Sequence, residues 1–284
     1  MRGSACRTSD ETTRKFLQSQ FASQMRWSRA NGHSLVFLEL YAGSGRVATA
    51  LHREGFGCIT FEMSDGTEHD LLRPVVQRVI QGWMSGGCVG GIFFGTPCSS
   101  WPTARRGPPG SPWGPLRNTV HIMGLPGLSE RDQARVWLGN RTMRQTAKCI
   151  GHAVRLGIPT MLENPHSSRL FQAPEIKKLG RLPSCHKWCL DQCQFGAPWR
   201  KRTAVWGWEA GHASPELDRR CVGRGSICSR TNRRHTLLQG SGPDGKLWTA
   251  IAQTYPKPLA RTVATILIRA FHSMRVVAGL SRVV

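Results

Sequence analysis

Residues 35–62, LVFLELYAGSGRVATALHREGFGCITFE, leave few architectures open to this chain. LVFLEL is an apolar run of strand length, the pattern of a parallel strand covered on both faces. The Gly43-Ser44-Gly45 turn follows, then a helical pattern that Gly55 stops, and CITFE starts a second strand. Two parallel strands joined by a crossover helix form a right-handed unit that lies in a sheet with helices on its faces.

The alternation continues. DLLRPVVQRVIQGWMSGG places Leu71, Val75, Val79 and Trp83 on one helical face, and CVGGIFF reads as a third strand. From Trp101 to Leu128 proline and glycine are too frequent for a regular element, and a loop of that length is expected to act as a lid. A long helix with Ser129 as its cap, a strand at IPTMLEN and a short helix around APEIKKL follow. PLARTVATILIRAFHSM is an amphipathic helix that returns to the core. The expected fold is α/β, a Rossmann-like, doubly wound, mostly parallel sheet with a small Cys/Arg-rich module. Residues 1–33, with one weakly amphipathic helix (Phe16, Phe21, Met25), form an N-terminal extension. Residues 34–182 and 246–284 form the main domain, and residues 183–245 a small basic Cys/His-rich recognition module with strand-like pieces at QCQFG and TAVWGW.

Charge narrows the partners. The 39 Lys+Arg against 17 Asp+Glu leave a formal net charge of +22, spread from end to end, which suits a nucleic acid bound through its phosphates. No apolar run is long enough to span a membrane, and the N-terminus lacks the apolar core of a secretory signal. The expectation is an intracellular monomer, nuclear in a eukaryotic cell, acting on nucleic acid and away from membranes. Ten cysteines in such a compartment are thiols, metal ligands or a nucleophile rather than disulfides.

Four local patterns carry chemistry. At Gly43-Ser44-Gly45 the absence of side chains lets a ligand approach the backbone, and Glu62 ends the next strand where a carboxylate can accept from a ribose diol. The same turn satisfies the dinucleotide fingerprint, so NAD and S-adenosylmethionine both remain open on this motif. Cys98, in GTPCSSW, lies just past a strand at the ligand-binding edge of such a sheet, where Arg105 and Arg106 can favour its thiolate. Glu163, in ENP, ends another strand at the same edge, with Pro165 biasing Asn164 toward an extended conformation. In QFGAPWRKRTAVWG, Arg200 and Arg202 alternate as on one face of a strand and can clamp a phosphate or a base.

Taken in chain order, FLELYAGSGRVA, Glu62, Asp70 in EHDLL, GTPCSS, ENP and QFGAPWRKRT resemble the cytosine-5 DNA methyltransferase family. YPKPLARTVA is a weaker match to the family's closing motif. The resemblance implies an S-adenosylmethionine methyltransferase fold and methyl transfer to carbon 5 of cytosine through a covalent cysteine adduct. Cys98 is then the nucleophile, Glu163 contacts N3 of the base, and Arg202 with Arg200 binds its carbonyl oxygen or a phosphate. Leu40, Tyr41, Ala42, Gly43, Ser44, Gly45, Glu62, Met63, Asp70, Leu71, Gly95 and Pro97 would form the cofactor site. The segment where the family keeps its recognition domain is short here, which keeps RNA as the alternative substrate. A catalytically silent nucleic-acid-binding protein of the same fold is the other alternative.

That segment holds Cys221, Cys228 and His235, with Cys185, His186, Cys189 and Cys193 upstream. Cys193, Cys221, Cys228 and His235 are the preferred zinc ligands, because glycines let the chain fold around an ion. Cys185-x3-Cys189-x3-Cys193 offers an iron–sulfur alternative, and buried thiols without a metal a third reading.

Overall fold

The computed structural model describes residues 2–103, 114–211, 214–242 and 244–277. In chain order the elements are α1 (Arg2–Ala30), β1 (Val36–Leu40), α2 (Arg46–Arg53), β2 (Gly57–Phe61), α3 (Pro74–Ser85), β3 (Val89–Phe94) and α4 (Glu130–Arg155). They continue with β4 (Thr160–Pro165), α5 (Pro174–Leu179), β5 (Cys185–Asp191), β6 (Arg202–Trp208), α6 (Trp248–Ile251) and α7 (Lys257–Val277). Ser129 caps α4, its side chain accepting from the amide of Asp132.

The strands form one six-stranded sheet in the order β2-β1-β3-β4-β6-β5. β6 is antiparallel to both neighbours and the other pairings are parallel, so the sheet is mixed and α/β, compatible with the doubly wound expectation. Alternation along the strands supplies a separate core for each face. Val36, Leu38, Leu40, Phe61, Ile92 and Leu162 pack under α1, α3, α4 and α5. Phe37, Phe93, Met161, Leu190 and Val205 meet α2 and α7 through Val47, Leu51, Val263 and Leu267. The chain leaves β1 for β2 on one side and returns for β3 on the other, and a crevice opens at the carboxyl ends of strands where such a reversal occurs.

Three expectations change. First, α1 is integral rather than an extension. Leu17 and Met25 are buried in the core, and polar residues of α1 bind the start of β2. Ser28 Oγ accepts from Gly57 N at 2.7 Å and donates to the Leu35 carbonyl, while Gln24 Oε1 accepts from Cys58 N at 3.1 Å. Gln24 thereby satisfies one edge amide that would otherwise template another strand, while Ser28 bridges the starts of β1 and β2. A side chain at Gly57 would collide with the Gln24 carbonyl.

Second, much of the expected module belongs to the sheet. β5 pairs with β6 over its whole length, and QCQFG is a 3-10 turn between them, leaving the segment after Trp208 as the appended part. Third, the proline-rich loop is anchored in the fold through Leu116 and Arg117. Arg117 is 2% exposed, lies 3.5 Å over the Trp101 ring, and donates to Ser100 O and Oγ, Ile122 O, Val136 O and Asn140 Oδ1. Arg105 and Arg106 lie outside the described residues.

Candidate functional site

At the carboxyl ends of β1, β3 and β4 lies a cavity of about 270 Å³. The glycine turn forms one wall. Tyr41, Gly43 and Gly45 all have positive φ, of 57°, 53° and 59°, and Gly43 N donates to Glu62 Oε2 at 2.9 Å. Behind the turn, fully buried Glu39 accepts from Ala48 N at 2.6 Å and anchors the start of α2. Burial pushes the Glu39 carboxyl up to about 7, against the pull of the helix amides. Gly95 brings β3 against the turn, since a Cβ there would lie 2.8 Å from the Tyr41 carbonyl and 3.1 Å from Tyr255 Oη.

Cys98, half-buried, stands at the next wall. Its loop is pinned at both ends: Asn164 Nδ2 donates to Thr96 O at 2.7 Å, Trp101 N to Cys98 O at 2.8 Å, and Arg169 N to Trp101 O. Trp101 is fully buried. Opposite lies Glu163, 6% exposed, whose Oε2 accepts from Tyr255 Oη at 2.7 Å. Its Oε1 is buried with no hydrogen-bond partner among the described residues. Burial raises the Glu163 carboxyl, opposed by the Lys201 ammonium and the Tyr255 hydroxyl. Burial and the Glu163 charge raise the Cys98 thiol, and Lys201 lowers it. A cation is thus placed to act on both groups.

The structure gathers Tyr41, Ala42, Gly43, Glu62, Gly95, Pro97, Cys98 and Glu163 around one cavity. Other expected residues lie elsewhere. Leu40 and Leu71 are core residues, Met63 is 61% exposed, and Asp70 accepts from Leu72 N in its own turn. Ser44 and Gly45 complete the turn without lining the cavity. Arg200 and Arg202 also turn away, both bound through Nε to fully buried Asp191, at 3.3 and 3.2 Å. The cavity instead receives Lys201, whose Nζ donates to the Ala252 carbonyl at 3.0 Å. Period-two alternation separates Lys201 from the two arginines, but the buried acid that selects the face sits on β5. Tyr255, within the closing motif, is likewise a site residue that sequence reasoning overlooked.

A second cluster joins the appended segment to the turn after β5. Ligand atoms of Cys193, Cys221, Cys228 and His235 all lie within 4.8 Å of one another, and all four residues are buried. The iron–sulfur alternative is not assembled: Cys185 packs at the helix-covered core, and Cys189 Sγ lies 3.4 Å from His166 Nδ1. No helix among the described residues is long and apolar enough to cross a membrane. No protein-family model matches the chain, and neither does any curated protein.

Proposed function

We propose that this protein transfers a methyl group from S-adenosylmethionine to carbon 5 of a cytosine in nucleic acid, with DNA as the first substrate class. One observation carries the reading: a displayed thiol, Cys98, shares a cavity with a buried carboxyl oxygen, Glu163 Oε1, that has no partner, beside a glycine turn open to a ligand.

The residues present suit the methyl donor. A Cβ at Gly43 would meet nothing within 4 Å, so a ligand can lie against the bare backbone, and the Glu62 carboxylate has a second oxygen for a hydroxyl. The donor supplies an electrophilic methyl group when bound. Cys98 supplies the electrons: its thiolate adds to carbon 6 of the base, forming a carbon–sulfur bond and making carbon 5 nucleophilic. Glu163 in its protonated form donates to N3 and stabilises the charge that develops there, a role suited to a carboxyl raised by burial. Lys201 favours the thiolate and can face the base carbonyl or a phosphate. Once carbon 5 carries the methyl and the donor has left as its neutral thioether, the carbon 5 proton passes to water, the N3 proton returns to Glu163, and departure of the Cys98 thiolate restores the aromatic ring. A base in a duplex reaches the cavity only when flipped out, at about a few kcal/mol. The net charge of +22 supplies phosphate contacts that offset this.

The short segment between β6 and α7 favours RNA as the second reading, because it leaves little surface for reading a duplex. Both readings are tested by incubating the protein with methyl-labelled S-adenosylmethionine and mixed DNAs and RNAs, then identifying the labelled nucleotide by mass spectrometry. 5-Methylcytosine that disappears in Cys98→Ser supports the proposal, and the polymer carrying the label decides between the substrates. No transfer to any nucleic acid, with salt-sensitive binding retained, would leave the catalytically silent binder in its place.

A further inference from the structure

We propose that Cys193, Cys221, Cys228 and His235 bind one zinc ion that staples the appended Arg-rich segment to the central sheet. The inference stands apart from the methyl-transfer reading.

Geometry is the first argument. A tetrahedral ion with bonds of about 2.3 Å to sulfur and 2.0–2.1 Å to nitrogen separates its sulfur and nitrogen ligands by about 3.6 Å. Cys221 Sγ and His235 Nε2 are 3.7 Å apart, and every pair of ligand atoms in the cluster falls within 4.8 Å. Three sulfurs and one imidazole fill a tetrahedron with no position left for water, which defines a structural rather than a catalytic site. An iron–sulfur cluster interposes bridging sulfides and would hold its ligands further apart.

The surroundings support the same assignment. Ser229 N and Oγ point at Cys221 Sγ, at 3.4 and 3.5 Å, and Gln194 Nε2 at Cys193 Sγ, at 3.6 Å, so the sulfurs act as acceptors. Three thiolates around a dication carry one net negative charge. Cations already stand beside it: Arg230 Nε donates to Cys193 O and an Arg200 terminal nitrogen to Cys221 O, at 3.0 and 2.6 Å.

Leu217 ties the start of the segment to the core, but residues 221–237 have little apolar packing of their own. The three cysteines form a buried cluster with no further apolar member, while Val222 and Leu237 are 82% and 66% exposed. A small unit of this kind folds when a metal replaces the missing core. Its turns are shaped for the purpose. Gly225 and Ser226 have positive φ, Ile227 bridges Arg234, and Cys228 N donates to Arg233 O, which brings Cys228 and His235 to one end. Cys193 lies in the turn that leaves β5, and Cys221 N donates to Asp191, the acid that holds Arg200 and Arg202. Metal binding thus fixes the segment to the end of the β5–β6 pair.

The test uses the full chain, purified under reducing conditions without chelator. Elemental analysis should find about one zinc per chain. Cobalt(II) exchanged into the site should show the thiolate charge-transfer and intense visible bands of tetrahedral sulfur coordination. Stripping zinc with a chelator should open trypsin cleavage at Arg219, Arg224, Arg230 and Arg233, and added zinc should close it again. Cys228→Ser should lower zinc content and expose the same sites, whereas Cys149→Ser, a buried thiol elsewhere, should keep its zinc. A reduced wild-type chain that neither contains nor takes up zinc overturns the proposal, as does a cleavage pattern indifferent to zinc. Methyl transfer is not read in any arm, so failure of one proposal is distinct from failure of the other.

Discussion

Tyr255→Phe removes one hydroxyl and leaves a ring that can keep its edge contact with Phe93, at 5.6 Å between centroids. The hydroxyl donates to Glu163 Oε2 at 2.7 Å, and Glu163 Oε1 already lacks a partner, so the variant strands both oxygens of a buried carboxyl group. A hydrogen bond to a neutral group contributes about 0.5–1.5 kcal/mol, and one to a charged group about 1.5–3 kcal/mol. The loss should therefore be about 1 kcal/mol where Glu163 is protonated and about 2 kcal/mol where it is ionised. That difference of about 1 kcal/mol in favour of the protonated form moves the Glu163 titration upward.

The sign follows from linkage. Burial raises Glu163 above its ordinary 4.5, so its contribution to stability is complete below that pH and is lost as pH rises through the folded value. The variant extends the loss to higher pH. Urea unfolding of both proteins from pH 4 to 9 should give midpoints that diverge as pH rises, and the infrared carboxyl band of Glu163 should persist to higher pH in the variant. A destabilisation that is flat across this range would refute the claim that this hydroxyl stabilises the ionised carboxylate.

Other substitutions separate the parts of the site. Lys201→Ala should move the pH profile of Cys98 alkylation by iodoacetamide to higher pH, because the ammonium is the cation that lowers the thiol; Arg202→Ala should leave that profile in place. Arg202→Ala should instead destabilise the fold by about 1–3 kcal/mol in urea unfolding, because fully buried Asp191 loses a partner. Ser28→Ala should lower stability by about 1 kcal/mol and speed amide exchange at Gly57, whose proton then lacks an acceptor. Gly95→Ala should distort the contact between β3 and the Tyr41 carbonyl, reducing ligand binding in equilibrium titrations while far-ultraviolet circular dichroism stays unchanged.

What the sequence disclosed follows the range of the interactions involved. The first strand, the glycine turn and α2 are specified within a few residues of one another, and Cys98 and Glu163 stand out because each follows a local apolar run of strand length. Lys201 was hidden by a contact that crosses to another strand. The alternation of Arg200, Lys201 and Arg202 shows that two faces exist, and Asp191, opposite Arg202 in the register, decides which face turns inward. Glu39 carried a local signal, as the one charged residue in a fully buried strand. The role of α1 left a fainter trace, because Gln24 and Ser28 serve the start of β2 through polar groups that hydrophobic periodicity does not register.

The pinning of the Cys98 loop ties the two halves of the candidate chemistry together. Asn164 adjoins Glu163 on β4, and its amide fixes the carbonyl of Thr96, two residues before the thiol. Tyr255, at the entrance to α7, holds Glu163 from the other side and lies close to where a Cβ at Gly95 would stand. The carboxyl and the thiol loop are consequently held by hydrogen bonds, and Gly95 packs closely against the Tyr41 carbonyl at the glycine turn. A thiol placed past the end of its strand would ordinarily be mobile. Here the strand that carries Glu163 also orients the Cys98 loop, the preorganisation that the proposed covalent addition to a base would require.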